Sequence, residues 1–423
     1  MSSLIAPADK ARADYFSGLV RSYRSNRPLP GPFYASPDVF AIDLERVFGR
    51  AWLYAGHTCT IPRPGDWFTY QIGSGSIIVV RDQKGDIKAF HNTCRHRGSR
   101  VCNSETGHST SLTCPYHRWT YDLDGRLMMN PKPEFGVDRA ELSLQPVAVR
   151  NVAGLIFFSL ADSPPDFEPA ARDIARRLKP HGMERAKLAH QIDYQVPANW
   201  KLIFENNREC YHCPPNHPEY NKATYDVLRD EAHANPKAKA ELEARIAECN
   251  ARFRALGLDE GDASSAMTGA FYRCHRTPLM KGFTTQSLDG KPVAPLMGDF
   301  KERDAGTLRI TIFPNFWQHA NDDHAVATRI TPIGPAMCHI RVMWFVHQDA
   351  VEGKDYTLER LLPVWRLTSE QDWEICKNQQ AGVSSQHFRP GPYSLTKERN
   401  VAHFVEWYLH ATAGWTPSAQ AAE

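Results

Sequence analysis

The sequence lacks the features that announce a membrane protein, a secreted scaffold or a nucleic-acid binder. No stretch approaches the roughly 18 consecutive apolar residues of a spanning helix. The opening Met1–Lys10 has no basic region followed by an apolar run, so no secretory leader is visible and a cytoplasmic location is expected. Charge of one sign is not in excess: 50 Lys and Arg against 48 Asp and Glu leave a formal +2. That balance sets up no field to draw in nucleic acid or an anionic membrane. Ten cysteines in 423 residues are too few for a disulfide scaffold, and in a reducing compartment they are expected to be thiols. There is no internal repeat or low-complexity tract. A strand–Gly-x-Gly-x-x-Gly–helix unit is also missing, because Gly73-Ser74-Gly75 lacks the third glycine and reads as a turn between strands.

What remains is an ordinary globular composition with 18 histidines, several of them clustered with cysteine. At roughly 150 residues per domain the length predicts two or three domains. Residues 1–47 read as a lead-in, with a helix over Asp9–Tyr23 and a Pro-rich stretch Arg27–Pro37. Residues 48–164 have strand texture at Phe68–Ile72, Ile77–Arg81, Ile87–Asn92, Val147–Arg150 and Gly154–Leu160, closed by the linker Ala161–Asp166. Residues 165–423 are mixed. Helices are expected over Phe167–Leu178, Trp200–His212 (stopped by Pro214-Pro215), Ala238–Leu256, Leu358–Gln380 and Val401–His410. Strands are expected at Ala189–Val196, Thr307–Phe313, His324–Thr331 and Cys338–His347. The fold class is therefore α+β: a β-rich domain, then a larger domain with an antiparallel sheet flanked by helices.

Two constellations carry chemistry. The first is Cys94-Arg95-His96 followed, after seventeen residues, by Cys114-Pro115-Tyr116-His117. Two thiolates and two imidazoles on paired loops suit zinc, or a [2Fe-2S] cluster with both cysteines on one iron and both histidines on the other. Zinc fingers usually pair cysteines and histidines separately, whereas here each loop supplies one of each. The second is Glu209-Cys210-Tyr211-His212 with Cys213-Pro214-Pro215-Asn216-His217. On a helix Glu209 and His212 would share a face, and the proline break would let His217 return toward His212. Two imidazoles and one carboxylate with open positions form the facial triad of ferrous oxygenases. The Cys210-x-x-Cys213 pair has no second such pair and no thioredoxin-like context, which argues against thiol redox chemistry or zinc.

With both constellations in place, the chain resembles the alpha subunits of Rieske-type non-haem iron oxygenases. Phe90–Arg100, Glu205–Cys213, Val351–Tyr356 and Pro390–Ser394 are similar to the glycine betaine and proline betaine (stachydrine) demethylase branch, whereas Asp372–Cys376 and Phe313–His319 depart from it. The resemblance implies Cys94, His96, Cys114 and His117 as cluster ligands. It implies His212, His217 and Asp372 as iron ligands, with Glu370, Asp322 and Asp323 as rivals for the carboxylate. It further implies a homotrimer in which His117 faces Glu209 of the partner subunit, with Glu209 holding His212. A separate NADH-dependent flavin and iron–sulfur reductase would supply electrons for attack by O2. The implied reaction is hydroxylation of an N-methyl group with loss of formaldehyde; hydroxylation of an aromatic ring or aromatic acid is the alternative, and a zinc-stabilised or electron-transfer protein the third reading. A quaternary ammonium needs aromatic faces, and Tyr272, Phe313, Phe316 and Trp317 are the candidates.

Overall fold

The computed structural model describes residues 7–129, 137–225, 235–265 and 271–416; the first six residues, on which the leader reading partly rests, lie outside that set. The lead-in forms helices Pro7–Ser22, Pro32–Ala35 and Pro37–Ile42, then a π-helical turn Asp43–Phe48. It is tied down by one buried carboxylate. Asp43 accepts from Trp200 Nε1 at 2.9 Å and Tyr408 OH at 2.7 Å, and pairs with the ammonium of Lys201. Lys201 and Asp43 are both fully buried, so each neutralises a charge that neither could carry alone there.

Ten strands follow: β1 (Trp52–His57), β2 (Asp66–Ile72), β3 (Gly75–Arg81), β4 (Ile87–His91), β5 (Thr106–His108), β6 (Leu112–Thr113), β7 (Thr120–Tyr121), β8 (Leu127–Met129), β9 (Ala148–Val152) and β10 (Leu155–Ser159). They make three antiparallel sheets, in orders β1-β10-β9, β4-β3-β2-β5 and β6-β7-β8. Gly73, at φ 54°, turns the β2–β3 hairpin where Ile72 pairs with Gly75, so Gly73-Ser74-Gly75 is a hairpin and not a phosphate loop. A small apolar core of Ile78, Val80, Phe90, Trp119, Tyr121 and Leu127 belongs to this unit alone. The β1-β10-β9 sheet instead contributes Trp52, Tyr54 and Phe157 to a core shared with the larger sheet.

The larger sheet has seven antiparallel strands: β11 (Lys187–Val196), β12 (Asp262–Ser264), β13 (Tyr272–Thr277), β14 (Thr307–Ile312), β15 (Phe316–Ala320), β16 (Ala325–Gly334) and β17 (Met337–Val346). Their order is β11-β17-β16-β15-β14-β13-β12. Strands β12, β13 and β15 are additions to the sequence-based expectation. The Leu358–Gln380 helix is in fact two, Leu358–Leu361 and Pro363–Val383, because Pro363 sits at the first helical position and starts a new helix. Helix Pro236–Ala255 buries Leu242, Cys249 and Phe253 as its spacing predicts.

The most consequential correction lies at the second constellation. The helix begins at Trp200, with Asn199 Oδ1 capping Lys201 N, but ends at Asn207 instead of His212. The Glu209 carboxylate accepts from the backbone N–H groups of Tyr211 and His212, and this side-chain turn competes successfully with helix. Pro214 and Pro215 then initiate the short helix Cys213–Asn216, and Pro218 starts Pro218–Ala223. Proline lacks only an N–H that the first helical turn cannot use, so here it starts helices where it was expected to stop one.

Candidate functional site

The first constellation sits on two loops of the same local design. In each, the cysteine N–H donates to the carbonyl five residues on (Cys94 to Ser99, Cys114 to Trp119, both 2.8 Å). In each, the N–H four residues on returns to the cysteine carbonyl, from Gly98 at 3.0 Å and Arg118 at 3.1 Å. Gly98 and Arg118 both take positive φ, 77° and 61°, to close those turns. Both cysteines are buried while His96 and His117 are half-buried, so the sulfur end faces the small core and the imidazole end faces outward. The two imidazole rings lie 4.6 Å apart, and Trp119 stacks on His96 at 5.0 Å. Burial raises the Cys94 thiol pKa, opposed by a 3.3 Å hydrogen bond with Tyr121 OH.

In the second constellation three donors converge. Asp372 Oδ1 stands 3.2 Å from His212 Nε2 and 3.0 Å from His217 Nε2, and the two rings are 5.0 Å apart at 85°. His217 Nε2 and Asp372 Oδ1 are buried yet form no hydrogen bond in spite of that approach, as lone pairs aimed at a shared cation do. The other nitrogen of each ring is engaged: His212 Nδ1 donates to Glu209 Oε1 at 2.5 Å, and His217 Nδ1 to Gln371 Oε1 at 2.8 Å. Those bonds fix both tautomers so that Nε2 faces Asp372. Without a cation between them, burial lowers the His212 pKa, but Asp372 and Glu209 outweigh it and lift the imidazole to about 9. The pair of carboxylates thus makes this spot attractive to any cation. Of the rivals, Glu370 is exposed, and Asp322 and Asp323 are buried in the β15–β16 turn with Arg303, Thr285 and His324. Cys213 Sγ reaches 3.9 Å from His212 Nε2 but is joined to Cys210 in a disulfide, contrary to the expected thiols. The turn that Glu209 folds brings their Cα atoms to 4.9 Å, within bridging range.

A cavity of about 260 Å³ opens beside these donors. Helix Pro363–Val383 contributes Trp365, Thr368 and Asp372, at helical spacing. The sheet contributes alternate residues of three strands: Arg273 and His275, Arg309 and Thr311, Trp317 and His319. Register aligns them in two rows, Arg273–Thr311–Trp317 and His275–Arg309–His319. Cys274 and Ile310 between them, and Phe316 just before Trp317, pack into the core on the far side, as the period of two requires. His319 stacks on Trp365 at 4.2 Å, and Tyr220 OH accepts from Arg309 at 3.1 Å.

Of the four aromatic candidates, Trp317 lines this cavity. Tyr272 and Phe316 lie on the core face of their strands, Tyr272 donating to Asp173 at 2.6 Å and Phe316 packing on Tyr54. Phe313 is past the end of β14, stacked on Phe271 at 4.0 Å. Sequence reading missed Tyr220, Trp365, His319 and the arginines. The signal was present as alternation within Arg-Cys-His, Arg-Ile-Thr and Trp-Gln-His, but it becomes a site only once the strands are in register.

Residues 51–141 match the family model for the Rieske [2Fe-2S] domain, and residues 183–414 match that for the ring hydroxylating alpha subunit (catalytic domain). The chain belongs to the Rieske-type oxygenase alpha subunits. As an oxidoreductase of this family it holds a [2Fe-2S] cluster and a mononuclear non-haem iron, and the two donor sets just described fit them. This alpha subunit is 40% identical over 407 residues to a glycine betaine monooxygenase oxygenase subunit of Pseudomonas aeruginosa, covering 96% of this chain and 92% of the relative. It is 40% identical over 412 residues to a protein of the same description from Chromohalobacter salexigens, covering 96% and 90%. Among solved structures, a quaternary ammonium Rieske monooxygenase in complex with gamma-butyrobetaine shares the fold, with TM-score 0.66 at 20% identity over 93% of this chain and 97% of that one. No helix among the described residues is long and apolar enough to cross a membrane.

Proposed function

We propose that this chain is the oxygenase component of a two-component monooxygenase that hydroxylates an N-methyl group of glycine betaine or a similar quaternary ammonium compound. One oxygen atom of O2 enters the methyl C–H bond and the other leaves as water, with two electrons and two protons supplied from outside. The resulting N–CH2OH then breaks its C–N bond, giving formaldehyde, the demethylated amine and a proton. The electrons come from a separate NADH-dependent flavin and iron–sulfur reductase. In this reading residues 48–164 form the electron-entry domain, 165–423 the catalytic domain, and 1–47 a lead-in anchored on the latter.

When bound, the cluster supplies single electrons and the ferrous iron supplies oxygen activation. The chain's own residues do the rest. Cys94, His96, Cys114 and His117 would hold the cluster. His212, His217 and Asp372 would hold the iron. Glu209 fixes the His212 ring and, in a homotrimer, would also receive His117 of the partner subunit, which would link the two centres across the subunit boundary. Trp317, Trp365 and Tyr220 offer aromatic faces to a methylated cation. The observation that carries the reading is the convergence of two imidazoles and one carboxylate on a small cavity that holds both aromatic and cationic side chains. Such a lining suits a compact polar zwitterion better than an aromatic hydrocarbon, which needs an apolar pocket. The test is a panel of N-methylated and aromatic substrates with NADH, reductase and O2. Formaldehyde from glycine betaine is expected; ring hydroxylation without formaldehyde would overturn the reading.

A further inference from the structure

The basic side chains of the cavity are not equally satisfied. Arg273 donates to Asp262 at 2.7 Å, Arg309 to Tyr220 OH at 3.1 Å, and Lys397 lies 4.3 Å over the Tyr211 ring. Arg208 stands apart. It is 8% exposed and lines the cavity, in the short turn between helix Trp200–Asn207 and His212. Its Nη1 donates to Thr311 Oγ1 at 3.2 Å and its guanidinium lies 5.6 Å from the Phe313 ring centre. Among the described residues no carboxylate reaches it, and its Nε is buried without a partner. Burial, and then the charge of Arg273, pull its pKa down to about 9. A guanidinium is effectively never deprotonated in a protein, so the charge persists there uncompensated. Uncompensated buried charge is strongly unfavourable and is retained where a counter-ion arrives from outside.

We propose that Arg208 receives the carboxylate of the substrate, which makes the ligand an N-methylated ammonium carboxylate docked by its anionic end on Arg208 and Thr311. This rests on the N-demethylation reading above and adds the group that selects for the acid. With Nη1 on Thr311, Nε is buried without a partner and no acceptor is seen for Nη2 among the described residues; that edge is a fork matched to the two oxygens of a carboxylate. Thr311, which Arg208 contacts, pairs in register with Trp317, so the hydroxyl that Arg208 holds and an aromatic residue sit on neighbouring strands whose backbones are about 4.8 Å apart. A short zwitterion can use both at once, its methylated nitrogen against the ring. An amino alcohol such as choline has the same cation and nothing for Arg208.

The test uses the full-length holoenzyme as wild type, Arg208→Gln and Arg208→Lys, with glycine betaine and choline as probes. Binding is measured by calorimetry without O2, and turnover as formaldehyde released. Arg208→Gln is expected to weaken glycine betaine, in both Kd and KM, by at least about 30-fold. Choline binding is expected to move less than threefold, so the preference for the acid collapses. Melting temperature should hold or rise, since an unpaired buried charge is gone, whereas a purely structural arginine would lower it. Arg208→Lys keeps the charge but not the fork and is expected to fall between. Should the glutamine variant lose the cluster absorption, the lysine variant alone decides by the same preference. Equal losses for both ligands, or glycine betaine affinity unchanged, would overturn the proposal. Absence of formaldehyde from wild type with glycine betaine binding intact would instead count against N-demethylation and leave the Arg208 result standing.

Discussion

The two metal-binding regions are built in opposite ways. The two Cys-His loops lie about twenty residues apart, each closes on itself with the same pair of backbone hydrogen bonds, and they set their sulfurs against a small private core and their imidazoles outward. The two imidazoles and the carboxylate of the second constellation come from a broken stretch after helix Trp200–Asn207 and from a helix more than 150 residues later, and they converge beside the cavity. A locally closed loop can be read from spacing alone, while a site assembled across the sheet depends on everything that positions its parts. The two centres should therefore fail separately when perturbed.

The largest separation is expected from the cluster side. Cys114→Ala should remove the visible absorption of the cluster and all reductase-driven turnover, while one iron per chain stays at the histidine site. Joint loss of both metals would show that the two centres depend on each other. Next comes Asp43→Ala, which leaves the Lys201 ammonium buried without its carboxylate and is expected to destabilise the catalytic side by about 3–5 kcal/mol, read from chemical denaturation. The small core should keep its cluster at denaturant levels that release iron. Glu209→Gln should cost about 10- to 100-fold in iron affinity or turnover, because it loosens the ring that it holds. Its cluster spectrum should be unchanged.

A pH effect probes the catalytic side by titration. Burial raises the pKa of Glu205 to about 8, with Tyr34 OH donating to it at 2.9 Å and partly opposing the shift. Between about pH 4.5 and 8 the folded chain keeps a proton that the unfolded chain has released, so this group makes stability fall as pH rises through that window. Melting curves of wild type and Glu205→Gln should diverge across it, in favour of the variant, and run parallel above. Parallel curves throughout would mean that Glu205 is ionised in the fold.

The contrast also explains what could be read from the amino acids alone. The paired Cys-His loops, the approach of His217 to His212, most of the strands of the larger sheet and the lead-in helix follow from spacing and periodicity. Asp372 needed the family resemblance, since nothing local separates it from Glu370; the fold does so by turning Glu370 to solvent. The Glu209–His212 contact was expected for the wrong reason, a shared helix face, when the carboxylate instead folds a turn. The aromatic candidates Tyr272, Phe313 and Phe316 failed because strand parity and strand end decide which side chain faces the cavity, and β13 and β15 were not recognised as strands. The disulfide between Cys210 and Cys213 depends on that same unforeseen turn.

Metal analysis with electron paramagnetic resonance on Asp372→Ala tests whether His212, His217 and Asp372 form an iron site independent of the cluster. The variant should retain the full Rieske signal with two irons per chain, lose the third iron and release no formaldehyde. A variant that keeps the third iron and still turns over would contradict the assignment and return the carboxylate to one of its rivals.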